Sequence, residues 1–168
     1  MRRTLNALYL GSGILAAVFL ALIAISILTQ IVGRALGLVV DATEFSGFCL
    51  AASTFLGLAY ALREGTHVRV GLVIEWLPAG WRRTLECLVC LFSAGSVGWL
   101  AWCAAAYTHQ SYEFGDLSPG LLAAPLWIPQ AGMALGLTIM TLALLDEGIR
   151  LLRHGRASYL DNAKGSLE

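Results

Sequence analysis

The sequence predicts an all-α integral membrane protein: four spanning helices, with an amphipathic helix lying in the membrane interface between spans two and three. Three observations predict this. Of the 168 residues, 58% are hydrophobic and 13% are charged, well below the roughly one quarter charged in soluble domains. Four apolar runs reach the roughly 20 residues that a helix needs to cross a bilayer. Once those four spans are drawn, ten of the eleven basic residues fall on one side. The whole chain, 1–168, reads as a single membrane domain without internal repeats.

The first span covers about residues 7–32. It follows the basic pair Arg2 and Arg3, and is much longer than the roughly 7–15 residues of a signal-peptide core, so it reads as an uncleaved helix. A short turn, "GRALGLVVD", follows. The second span covers about residues 42–62. In "DATE", Asp41 stands at an N-cap position and Glu44 three residues on, a capping-box-like spacing. Negative charge is also favourable at a helix N-terminus. This favours a structural role for Glu44 over ion binding, although an acidic residue near a span can bind a proton or cation.

The long turn "REGTHVRVGLVIEWLPAGWRRTLE" contains the predicted interfacial helix, about residues 64–77. Glu64, His67, Gly71 and Glu75 share one stripe at helical spacing. Val70, Leu72, Val73, Ile74, Trp76 and Leu77 fall mostly away from it. Arg69 lands on the apolar side, where its long stem can snorkel to the headgroups. Such a segment lies along the bilayer, and Pro78 and Gly80 end it. The third span covers about residues 87–107. The turn "THQSYEFGDLSPGLLAAP" carries Glu113 and Asp116 and no lysine or arginine. The fourth span covers about residues 126–145. Pro125 and Pro129 suit its first turn, and Trp127 suits the interface.

Basic residues set orientation. The N-terminus, the second turn and the C-terminal part hold all of them except Arg34. Both termini are therefore expected in the cytoplasm, with the acidic third turn outside. A net charge of zero implies no general attraction to nucleic acid.

Little in the spans carries chemistry. Cys87 and Cys90 form a lone C-x-x-C. Zinc would need two further ligands at the same depth, so these cysteines, with Cys49 and Cys103, read as small apolar residues, and no metal site is expected. A bis-histidine haem needs two histidines at matching depth on facing helices. His67 and His154 fall outside the spans and His109 lies on the other side, so no cofactor is expected. Ser26, Thr29, Gln30, Ser53, Thr54, Ser93, Ser96, Thr138 and Thr141 supply only mild polarity, suited to bonds between helices. Small residues recur at close-packing spacing: Ser53-x-x-x-Gly57, Ala94-x-x-x-Gly98, Ala101-x-x-x-Ala105 and Gly132-x-x-x-Gly136. They suit packing inside the chain and docking to a larger partner equally well.

Three stretches make the pattern familiar: "QIVGR" ending at Arg34, "DATEFS" with Glu44, and "FLGLAYALREGTHVRVGLVIEWLP". In the last, Gly57, Arg63, Gly65, His67, Val68 and Val70 carry the match, and "LAAPLWIP" is similar too. The chain resembles the small membrane subunit of tripartite ATP-independent periplasmic (TRAP) transporters, the DctQ-like family. It departs at Gly71, where the family frequently has an acidic residue.

The resemblance implies a small, non-catalytic scaffold in the bacterial cytoplasmic (inner) membrane. Its partners would be a large TRAP permease subunit, which carries the substrate and sodium sites, and a periplasmic solute-binding protein that delivers an organic acid. Arg34, Glu44, Gly57, Arg63, Gly65, His67 and Arg69 become structural or interface candidates, some of them against membrane lipids. Two rivals remain: a haem-holding anchor of an electron-transfer complex, and a small self-assembling exporter that uses Glu44.

Overall fold

A computed structural model describes residues 2–38, 41–63, 79–120 and 122–154. They form four helices: α1 Arg2–Ala35, α2 Thr43–Arg63, α3 Ala79–Phe114 and α4 Trp127–His154. All four are long and apolar enough to cross a membrane. The expected interfacial helix, residues 64–77, lies outside the described residues.

Several boundaries differ from the hydropathy reading. The helix α3 runs on to Phe114, so "THQSYEF" is helix and not turn. Hydropathy falls there, but polarity alone does not end a helix. Thr108 bonds back to the Ala104 carbonyl at 2.7 Å, and His109 and Glu113 pair one turn apart at 3.8 Å. At the other end α3 begins at Ala79, so Trp81, Arg82 and Arg83 are already helical. In the same way α4 continues to His154.

Glycine sets two of the helix ends. At Gly37 the backbone turns left-handed, φ +76°, and at Gly115, φ +65°, a region nearly free of cost only without a Cβ. Leu38 N–H then bonds the Gly33 carbonyl at 2.8 Å, and Asp116 N–H bonds that of Ser111 at 3.1 Å. The inner bonds, Gly37 to Arg34 and Gly115 to Tyr112, complete Schellman motifs that satisfy orphan carbonyls.

The helices stand in a single row, not a closed bundle. α1 packs on α2, α2 on α4, and α4 on α3, while α1 only grazes α4. The pairs α1/α2 and α3/α4 are antiparallel, and α2 and α4 run parallel along the seam between them. The buried side chains are mostly small: Ala16, Ala52, Ala59, Ala94, Ala101, Ala134 and Ala143, with Ser12, Ser26 and Ser111. Leu28, Phe92, Trp102 and Leu135 are instead more than half exposed. In water such faces would drive aggregation; in lipid they are ordinary, and close backbone approach does the packing.

Candidate functional site

Small-residue seams hold the row together. Ser53 Oγ donates to the Ala16 carbonyl at 2.9 Å, tying α2 to α1. One turn on, a Cβ placed on Gly57 would sit 3.6 Å from the Ala16 Cβ, ordinary contact. Nearer the start of α2, the Ser26 and Ser46 hydroxyls meet at 2.7 Å. Ser26 also donates to the Ile23 carbonyl, which leaves Ser46 as donor in the pair, since a hydroxyl has one proton to give. Between α2 and α4, Gly132 faces Ala52, and Gly136 lies directly against the Phe55 backbone. Between α4 and α3, Gly98 faces Thr141 and Ala94 is buried with Met140 and Leu144. Three of the four small-residue pairs thus pack helices within the chain. In the fourth, Ala101 is buried and Ala105 is exposed.

At the end of the row that holds the start of α2, a polar clasp ties that helix to the segment between α3 and α4. Asp41 Oδ1 accepts the Thr43 N–H at 3.0 Å and caps α2, as the sequence suggests. That backbone bond, then the Thr43 hydroxyl, holds the Asp41 carboxyl below its ordinary range. Glu44 does not complete the expected capping box. Its Oε2 instead accepts the Leu122 N–H at 3.1 Å, across 78 residues of sequence. Ser46 N–H bonds the Ala42 carbonyl, the first intrahelical bond of α2.

The strap that Glu44 grips joins α3 to α4. Leu117 and Pro125 bridge, Ser118 N–H bonds Ala124 at 2.9 Å, and Leu126 N–H bonds Asp116 at 3.0 Å. Ala123 sits at φ +43°, an unfavourable backbone for a residue with a Cβ. Gly120 packs against the Glu44 carboxylate so closely that no Cβ fits. The Tyr112 and Trp127 rings meet edge to face at 5.7 Å below the strap. Neither Gly120 nor Leu122 carries a sequence signal for this, because their partner is on another helix.

The other candidates are dispersed. Arg34 is exposed in the last turn of α1. Arg63 ends α2, and Gly65, His67 and Arg69 lie outside the described residues. His109 is exposed beside Glu113, and all four cysteines are free thiols. Among the described residues no cluster of histidine, cysteine and carboxylate side chains could hold a metal. From Leu5 to Ile31, Phe45 to Leu62, Cys87 to Thr108 and Leu126 to Leu145 there is no Asp, Glu, Lys, Arg or His.

Four spans with uncharged interiors packed through small residues describe a membrane subunit without naming one. The family described as "Tripartite ATP-independent periplasmic transporters, DctQ component" matches residues 23–154. The chain belongs to the DctQ family of TRAP transporter subunits. This DctQ chain is also 30% identical over 161 residues to the ectoine TRAP transporter small permease protein TeaB of Halomonas elongata, covering 95% of this chain and 79% of TeaB. No solved structure matches it. The DctQ match spans all four helices, from within α1 to the end of α4.

Proposed function

We propose that this DctQ chain is the small, non-catalytic scaffold of an ion-driven TRAP-type importer, bracing a large permease subunit in the inner membrane. One observation carries the reading: no Asp, Glu, Lys, Arg or His interrupts the apolar stretch of any of the four spans. A carrier acting alone needs polar or ionisable groups at depth for solute and coupling ion. The single-row packing supports the same reading, since each helix keeps a broad apolar face for lipid or a partner.

Both termini lie in the cytoplasm in this account, as the basic-residue bias requires, and the chain forms one membrane domain. The interfacial helix at residues 64–77 fits the helix order. α2 ends and α3 begins on the same side with α4 between them. Two interaxial steps of roughly 8–10 Å separate them. The fifteen residues between Arg63 and Ala79 span roughly 22 Å as helix.

The partners are a large permease that carries the solute and ion sites, and a periplasmic binding protein that reaches this chain through the assembled complex. Sodium is the coupling ion implied by the resemblance. The solute is an organic acid on that resemblance, and TeaB's name adds ectoine as a candidate. Arg63, Gly65, His67 and Arg69 serve as anchoring or contact residues on the cytoplasmic side. Co-expression and affinity purification test the reading. The tagged chain should bring down the large permease in fixed ratio; recovery of this chain alone, with transport abolished by Glu44→Gln, would favour the exporter instead. A Soret band in the purified chain would favour the haem anchor.

A further inference from the structure

Arg34 is the one basic residue that the predicted topology places on the outer side of the membrane, against the usual bias. Its position gives a reason. The apolar stretch of α1 is Leu5–Ala35, so its midpoint falls near Leu20. At 1.5 Å per residue, Arg34 stands roughly 21 Å from that midpoint, the level of the headgroups in a bilayer roughly 40–45 Å thick. Ile27, Gln30, Ile31, Arg34 and Ala35 line one open groove of about 550 Å³. Ile27 lies roughly 10 Å from the midpoint, at acyl-chain depth, and Gln30 lies at roughly 15 Å, the edge of the hydrocarbon. Among the described residues the Arg34 guanidinium has no carboxylate partner, since the ion pairs there involve His109 and Arg150. Asp41, the nearest acidic residue in sequence, is engaged by Thr43.

We propose that this groove binds one anionic phospholipid of the outer leaflet. Arg34 takes the phosphate in its planar fork, a geometry suited to bidentate contact. Gln30 meets the glycerol-ester region, and an acyl chain lies along Ile31 and Ile27. Charge complementarity selects the headgroup, and the apolar wall below it selects a lipid over a free anion. Attraction to the C-terminal end of α1 also favours a cation here, but it gives no reason for a cation above an apolar groove.

The test is native mass spectrometry of the full-length chain, released from nanodiscs of phosphatidylcholine with a minority of phosphatidylglycerol. The proposal predicts one retained phosphatidylglycerol per chain. Arg34→Gln should lower that occupancy by about fivefold or more, as expected for loss of a charge-assisted contact. Arg34→Lys should retain an intermediate level, and Arg150→Gln, at the opposite end, should match the parent. Circular dichroism confirms that each variant keeps its helices. Equal retention by the parent and Arg34→Gln overturns the proposal, as does equal retention of phosphatidylcholine. Displacement of the lipid by millimolar inorganic phosphate would mean a bare anion site and also overturns it. So would assembly with the large permease lost in Arg34→Glu and restored by a charge reversal in that partner, which would assign Arg34 to a protein carboxylate.

Discussion

Gly136 of α4 lies against the backbone of Phe55 of α2, with no side chain between the two helices. This contact fixes the parallel seam that joins the α1/α2 pair to the α3/α4 pair. A methyl group there would strike the Phe55 carbonyl, which cannot rotate away as a side-chain tip can. We expect Gly136→Ala to separate the seam and cost about 1–3 kcal/mol, the usual range for overpacking. Gly57→Ala places its methyl in ordinary contact with Ala16 and should cost well under about 1 kcal/mol. Unfolding by a denaturing detergent, followed by circular dichroism, compares the two. Equal stability of both variants would contradict the close approach.

Glu44 and Gly120 form a second testable pair. Glu44→Ala removes the bond to Leu122 and should loosen the strap by about 1.5–3 kcal/mol, the range for a hydrogen bond to a charged group. Gly120→Ala should do similar damage, because its methyl competes with the carboxylate for one space. The double variant should cost clearly less than the sum, since the shorter side chain vacates that space. Hydrogen exchange at residues 118–123 reads the effect. Strict additivity would show that the two residues do not meet.

Much of this architecture is legible in sequence, for identifiable reasons. Apolar length shows the four spans, and the basic-residue bias predicts their orientation. Asp41 is legible as a cap because its partner, Thr43, is two residues away. The role of Glu44 is not, because spacing suggests a local box while its actual partner, Leu122, lies across the row. The end of α3 is missed for a related reason: residues 108–114 are mostly polar, and a polar stretch of helix has the hydropathy of a loop. Gly132-x-x-x-Gly136 is visible as a packing pair, but which helix it meets depends on the order of the row, which periodicity does not encode.

The cap at Asp41 carries a pH dependence. Its carboxyl is held below the ordinary value of 3.8, so the ionised form is favoured in the folded chain. Its contribution is fully present above that value and is lost as pH falls through the lower, folded pKa. Exchange of the amides at the start of α2 should therefore accelerate only in that acidic window. Asp41→Asn still accepts the Thr43 N–H but does not titrate, so it should remove the acid-dependent step. Persistence of the step in Asp41→Asn would assign it to another group.

The central claim is that this chain supports transport without carrying it, and uptake into proteoliposomes tests that most directly. The large permease, with and without this chain, is supplied with binding protein, solute and a sodium gradient. The account predicts accumulation only when both membrane subunits are present, and none with this chain alone. Full-rate uptake by the large permease without this chain, or uptake by this chain without the permease, would contradict it.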